Sequence, residues 1–390
     1  RRRGLLILGL VFQLGLLVAV KYAGFFFGAF IDLPKLHLPL GVSFYTFHAI
    51  SYLVDVYRQK TPPQKNLLRL GLYLALFPKL VMGPIVPYHE LEPALAQRTI
   101  DAQDVSDGCF RFTIGLAKKA LLADALAGLV TGIWGDLASL TVLSAWLGLI
   151  GYALQLYFDF SGYSDMAIGL GRMLGFRFPE NFRYPYLCSS ISDFWRRWHI
   201  SLGSWFKEYL YFPLGGSRTG TLRTLRNLLL VWLATGLWHG ASWNYVLWGL
   251  YFGVLICLEK LLAPRFRAHP RKGLLAGLYR PVCLLLAVLG WVLFRAEDLP
   301  AAGRYFACLF GGAAGASAQA RLYLHDFWPV LLLGAVGATP LCAKLAGRLG
   351  AKLQPGVRAA VQAVLVLALL ACSTVWLLNG SFQSFVYFQF

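Results

Sequence analysis

The segment TGLWHGASWNYVLWGLYFG, residues 235–253, carries His239 between Gly236 and Gly240, and the nearest formal charges are Arg226 and Glu259. A second stretch, SDFWRRWHISLGSWFKEYLYFPLGG at 192–216, carries His199. Placed on one helix over 193–210, Trp195, Trp198, His199, Leu202, Trp205, Phe206 and Tyr209 fall on one stripe. Arg196, Arg197, Ser201, Ser204, Lys207 and Glu208 fall opposite. That pattern describes an amphipathic helix at an interface, with Asp193 placed to cap its start. Both histidines therefore sit among apolar neighbours. An imidazole there is either a hydrogen-bonded packing residue or a base. Burial disfavours its charged form, so it is neutral near pH 7 and ready to accept a proton. Asp159, Asp165 and Asp193 are the available orienting carboxylates.

Other chemistries fit less well. The sequence has no HExxH, no paired-cysteine zinc spacing, no GxxxxGK[ST] loop and no GxSxG elbow. DFSGYSD at 159–165 is polar within an apolar region. It either lines a substrate path or supplies packing hydroxyls and a helix-start cap. FPKLVMGPIVPYHEL at 77–91 holds Pro78, Pro84 and Pro87, which predict a kinked or re-entrant segment. His89 reads as a surface residue near a membrane edge. His48 lies in an apolar run with nothing around it to suggest a site. His37, His269 and His325 read as loop or edge residues.

The elements that must position these groups are membrane helices. Hydrophobic residues make up 58% of the 390 and charged residues 14%, well below the quarter usual in soluble domains. Mean hydropathy is +0.59. The formal net charge of +18 is concentrated in loops between apolar runs, at 58–69, 217–226, 260–280 and 344–358. This suits a cytoplasmic face lined with anionic lipid rather than nucleic acid. Spans are predicted at 4–24, 67–88, 141–160, 281–296, 327–346 and 357–379. The stretch 40–57 should pack against protein, and 110–134 is interrupted by Lys118, Lys119 and Asp124. The total expected is nine or ten membrane segments. The seven scattered cysteines read as apolar filler, and 311–320 as a mobile loop.

Residues 227–258 would make one helix of about 48 Å, too long for a hydrocarbon core of about 30 Å. Both flanks are basic. Two short helices meeting near Gly240-Ala241-Ser242 resolve this, with Ser242 capping the second and His239 at the inner end of a polar funnel.

Five blocks together resemble the membrane-bound O-acyltransferase family, alginate O-acetyltransferase type. They are SFYTFHAISYLVDVYR (43–58), YFDFSGYSDMAIGLGRMLGFRFPENFRYPYL (157–187), SISDFWRRWHISLGSWFKEYLYFPLGG (190–216), GLWHGASWNYVLWGLYFG (236–253) and FVYFQF (385–390). The resemblance implies an all-α polytopic fold: a ring of transmembrane helices around a thin centre, with re-entrant and interfacial helices. One membrane domain over 1–390 is expected. Members usually carry further N-terminal helices ahead of the position of Arg1, so the chain is expected to lack part of the ring. The family's active-site histidine matches His239 and its second histidine matches His199. His48 stands where another polar residue is expected and takes no role. D-alanyl-transferring relatives resemble the chain less.

The function so implied is O-acetylation of an exopolysaccharide such as alginate, from a bacterial inner membrane. His239 would be the general base, and His199 would position or polarise the acyl carbonyl. Trp195, Trp198, Trp238 and Trp243 would shape the channel. Asn244, Asp159 and Ser161 complete the substrate-contacting set. Arg196 and Arg197 either hold an anionic donor, such as the phosphates of coenzyme A, or anchor at the interface. The donor would be acetyl-CoA or another thioester, with no bound cofactor and no metal. The partners would be membrane lipids and a periplasmic acetyltransferase, not nucleic acid. Alternatives are a transporter or channel gated by His239, an intramembrane metalloenzyme, or a family member acting on peptidoglycan, cellulose or teichoic acid.

Overall fold

A backbone in hydrocarbon must satisfy its own polar groups, and helices do so within one segment. The computed structural model describes residues 2–27, 41–218, 220–268, 274–380 and 385, and among them there is no strand. The protein is an all-α polytopic membrane protein. Its first helices are α1 (Arg2–Leu17), a π turn (Val18–Tyr22), α2 (Ala23–Phe27), α3 (Val42–Tyr57), α4 (Leu67–Ala75), α5 (Phe77–Leu80) and α6 (Tyr88–Ala96). Next come α7 (Ala102–Ala117), a second π turn (Lys118–Ala123), α8 (Asp124–Trp134), α9 (Val142–Met173), α10 (Ile191–Arg197), α11 (Ile200–Phe206), α12 (Thr221–His239) and α13 (Trp243–Ala268). The last are α14 (Leu274–Arg295), α15 (Leu299–Leu309), α16 (Ala318–Gly337), α17 (Leu341–Gly350) and α18 (Pro355–Asn379).

Among the described residues, five helical stretches are long and apolar enough to cross a bilayer: 2–26, 142–173, 243–262, 277–295 and 355–379. A sixth follows if α16 and α17, bent by 67°, form one broken span. Against the nine or ten membrane segments expected, the long apolar helices among the described residues number five or six. Three particulars account for most of the difference. The predicted span 67–88 does not exist. α4 stops at Ala75, Leu76 is extended, Pro78 lies in the first turn of the one-turn α5 that begins at Phe77, and the chain runs without helix to α6. Proline has no N–H to give to the preceding turn, so the hydrogen-bond ladder of α4 cannot run on through Pro78. α3 has only 16 residues and buries Phe44, Phe47, His48, Ile50, Ser51 and Asp55, so it packs against protein as its small and hydroxyl residues predict. The predicted span 327–346 turns at Thr339 and Pro340, between α16 and α17.

The chain sorts into two compact units. The first comprises 1–112, 164–181 and 199–242. Its core gathers Phe44, Phe47, Ile50, Ile85, Leu202, Trp205, Phe206, Tyr209 and Trp238. The second comprises 113–163, 182–198 and 243–390. Here buried Lys119, on the second π turn, meets Asp124 at 2.7 Å and Asp159 at 2.8 Å. Two of the charges that interrupt 110–134, Lys119 and Asp124, thus belong to an internal ion-pair cluster, within a helical run that continues from α7 to α8. The segment read as a mobile loop gives the carbonyls of Ala314 and Gly315 to the Val142 and Leu143 N–H groups at the start of α9. Exposed Leu5, Leu8 and Phe12 on α1, and Val361, Val364 and Leu367 on α18, present apolar outer faces suited to lipid.

Candidate active site

His199 does not lie on a continuous helix, which corrects the expected helix over 193–210. α10 ends at Arg197, Trp198 is extended, and His199 is left-handed (φ 45°, ψ 54°) before α11 begins. A non-glycine residue held there carries strain of about 1–3 kcal/mol, a pattern that clusters at functional sites. The start of α10 is capped by Ser190, whose hydroxyl accepts the Asp193 N–H. Asp193 is therefore not the cap. It accepts from the Ser189 N–H and Arg197 Nε instead. Burial opposes its charge, but those hydrogen bonds win and hold its carboxyl below the ordinary range.

Asn181 organises the turn at His199. Its backbone carbonyl accepts the Ile200 N–H at 3.0 Å. Its side-chain Oδ1 accepts the Ser201 N–H at 3.1 Å and the Ser201 hydroxyl at 2.9 Å, and lies 3.2 Å from His199 Nδ1. Its Nδ2 donates to Ser164 Oγ at 3.1 Å. The Ser201 backbone N–H can only donate, so the atom facing it is the Asn181 oxygen. His199 Nδ1 must then carry the hydrogen, and Nε2 carries the lone pair. Burial pushes the imidazole down to about 3, so it is neutral at physiological pH. A neutral His199 in this tautomer accepts a hydrogen bond at Nε2 and does not donate one to an acyl carbonyl. Ser201, placed on the exposed face by the helical wheel, is buried, and its hydroxyl also receives the Ile85 N–H at 3.0 Å.

α12 ends at His239, and α13 begins at Trp243, so the break falls at 240–242 as the length of the apolar run requires. His239 is buried. The Trp238 indole touches both histidines: its ring centroid is 4.9 Å from that of His239 and 6.0 Å from that of His199. Phe47 stacks on Trp238 at 5.5 Å, and Phe44 meets it edge-on. Two imidazoles from distant parts of the sequence thus share one rigid aromatic wall.

A cavity of about 320 Å³ in the same unit reaches from Lys60, Lys207 and Glu208 to buried Ser201, past Ile85 and Trp205. Near its charged residues, burial opposes the charge of Glu208, but Lys60 and Arg58 outweigh it and hold its carboxyl below the ordinary range. His89 also lines this cavity. Its side chain is 31% exposed, in line with the surface position expected, while its Nδ1 lies 2.7 Å from Oδ2 of fully buried Asp55, which also accepts the Tyr209 hydroxyl.

The other candidates lie in the second unit. Trp195 and Trp198 pack with Trp291, and Trp195 also meets Trp248 and Phe252. Arg196 is exposed, 3.9 Å from Asp193. Trp243 is 63% exposed. Asn244 is buried and donates to the Ala296 carbonyl at 2.6 Å. Asp159 is held by Lys119, and Ser161 is fully buried beside it in sequence. Asp165, in the first unit, is held by Arg111 at 2.6 Å. The side chain that meets His199 Nδ1 is that of Asn181. His37, His269 and all of the FVYFQF ending except Phe385 lie outside the described residues, and His325 is exposed. Among the described residues, no group of three or more His, Cys, Asp or Glu side chains forms a candidate metal site.

Comparison with known proteins decides the family. The model of the membrane-bound O-acyltransferase family, MBOAT, matches residues 64–276, more than half of the chain and inclusive of both histidines. The chain belongs to this family. A "probable alginate O-acetylase AlgI" of Pseudomonas aeruginosa is 45% identical over 316 residues, covering 78% of this chain and 60% of that protein. The protein of the same description from Pseudomonas fluorescens is 48% identical over 277 residues, 70% of this chain and 54% of that one. A peptidoglycan O-acetyltransferase of Helicobacter pylori is 37% identical over 333 residues, covering 76% and 63%. The chain thus spans less than two thirds of each of these relatives. Within the MBOAT region, sequence reasoning found both histidines and missed Asn181, although it lies in the quoted block 157–187.

Proposed function

We propose that this chain is the membrane-embedded acyltransferase of a polysaccharide O-acetylation system in a bacterial inner membrane. It takes an acetyl group from a cytoplasmic thioester such as acetyl-CoA. It passes the group toward an exopolysaccharide such as alginate, by way of a periplasmic acetyltransferase. Family membership supports acyl transfer, and the names of the relatives at 45% and 48% identity support alginate as the polymer.

The observation that carries the mechanism is the pair of buried imidazoles against Trp238. His239 acts as general base. It takes the proton of the acceptor nucleophile while that nucleophile attacks the thioester carbonyl. The C–S bond then breaks, and the imidazolium returns the proton to the leaving thiolate. His199, fixed as the Nδ1–H tautomer, offers its Nε2 lone pair on the same aromatic wall to a donor group of the substrates other than the reacting hydroxyl, whose one proton goes to His239. A base so placed supplies about 10²–10⁴-fold in rate.

The test is transfer of labelled acetyl from acetyl-CoA by the full-length protein in lipid nanodiscs, with His239→Ala beside the wild type. The variant should insert and fold normally and lose about 10²–10⁴-fold in transfer. Undiminished transfer would remove His239 from the chemistry and leave a channel-like role for it.

A further inference from the structure

The last carbonyls of an α-helix have no donor within the helix. At the end of α12 two of them are taken by side chains from the start of the chain. Lys21 Nζ donates to the Trp238 carbonyl at 2.7 Å, and the Tyr22 hydroxyl donates to the Leu237 carbonyl at 2.7 Å. Gly240 follows in extended backbone (φ −177°, ψ 158°), so the chain leaves the helix without the left-handed glycine return that commonly supplies such donors.

Both donors are rigidly mounted. They are consecutive residues of the π turn Val18–Tyr22, and π turns concentrate at functional sites. Tyr22 is buried with Leu17 and Val42, and Tyr45 and Ala241 pack on the same cluster. Lys21 Nζ also lies 3.5 Å from Ser43 Oγ and 6.0 Å from the Trp238 ring centroid. An ammonium within an apolar spanning helix is costly, and such groups tend to be functional. This one meets the negative end of the α12 dipole, at the residue before His239.

We infer that Lys21 and Tyr22 are positioning residues: they clamp the Trp238 and Leu237 carbonyls and so fix the turn that presents His239 and its Trp238 wall. The inference rests on the acyl-transfer reading of His239. It extends that site to the first helix of the chain, outside the region that the family model matches.

The test uses the full-length protein in nanodiscs with Lys21→Met, Lys21→Arg and Tyr22→Phe. Two readouts are taken: acetyl transfer from acetyl-CoA, and hydrogen exchange of a peptide covering 233–239. Lys21→Met should lower kcat by about 10²-fold, the size expected when a reacting group is displaced by about 1 Å, and leave KM within about twofold. Tyr22→Phe removes one hydroxyl and should lower kcat by about tenfold. Lys21→Arg keeps a cationic donor and should recover most of the loss. Exchange of 233–239 should quicken in Lys21→Met and Tyr22→Phe and stay near wild type in Lys21→Arg. Wild-type kcat and wild-type exchange in Lys21→Met and Tyr22→Phe would overturn the inference. So would equal losses in the Met and Arg variants with unchanged exchange. If the wild type transfers no acetyl, the functional reading fails, and the exchange data alone decide whether the clamp holds this turn.

Discussion

Removing the Asn181 side chain should separate the two parts that the site requires, a neutral imidazole and a fixed tautomer. Asn181→Ala deletes the acceptor of His199 Nδ1–H, of the Ser201 N–H and of the Ser201 hydroxyl, and the donor to Ser164 Oγ. Four hydrogen bonds at about 1 kcal/mol each give about 4 kcal/mol. Ser201 Oγ keeps the Ile85 N–H, and the Asn181 carbonyl keeps the Ile200 N–H, so nothing is added to that sum and the expected loss of stability is about 4 kcal/mol. Without Oδ1, nothing on Asn181 prefers one His199 tautomer, and the ring can turn. Transfer should then fall by about 10²-fold, mostly in kcat. Asn181→Asp discriminates further. The carboxylate still accepts from Ser201 and from His199 Nδ1, but its charge favours the imidazolium. The pKa of His199 should rise, so transfer should fall as pH is lowered through the new value and recover as pH is raised. The assay is labelled acetyl transfer between pH 5.5 and 8.5 (about the range in which histidine titrates), with thermal unfolding as the stability measure. Wild-type transfer in Asn181→Ala, or an Asn181→Asp profile superimposable on wild type, would refute the assignment of Asn181 as the tautomer-setting group.

Two further outcomes follow from the same unit. Lys79 is fully buried over the Tyr73 ring at 4.3 Å, with no hydrogen-bond partner for its Nζ among the described residues. Lys79→Met should therefore raise stability by about 1–2 kcal/mol, read as a higher unfolding temperature, and a lower temperature would show that the amine has a partner of its own. Glu208 has its carboxyl held below the ordinary range by Lys60 and Arg58. That contribution is present above the unfolded pKa of about 4.3 and is lost as pH falls through the folded value, so the unfolding-temperature gap between wild type and Glu208→Gln should close below about pH 4. A gap that widens on acidification would contradict the pairing.

What the sequence made legible followed from dimensions and periodicity. The apolar run 227–258 is too long for one span, and the break at 240–242 answers that mismatch. The blocks around His199 and His239 identify the family. What stayed hidden depended on partners far along the chain. A helical wheel over 193–210 cannot register that the Asn181 carbonyl competes for the Ile200 N–H, nor that Trp198 and His199 leave helical backbone. The prolines at 78, 84 and 87 announced a bend. They did not reveal that the helix ends at Ala75, because proline marks the place of a disruption and packing decides its extent. The contact of His89 with Asp55 was not legible, because Asp55 comes 34 residues earlier.

Paired ionisable groups show why a charge within an apolar run is an incomplete guide to function. Lys119 is matched by Asp124 and Asp159, and Arg111 by Asp165 and Glu180. In each, opposite charges lie within hydrogen-bond distance, which offsets much of the desolvation that burial imposes. These groups tie helices together. At His199 Nδ1 the site takes a neutral amide, Asn181. An amide fixes the tautomer without adding a buried negative charge that would draw a proton onto the imidazole. His199 therefore stays neutral across physiological pH, whereas an aspartate in the same place would favour its cation. A neutral His199 adds no positive charge that would oppose proton uptake by His239, the base of the proposed mechanism. The ion pairs and the amide then have separate tasks: the first hold the helices, and the second sets the chemistry.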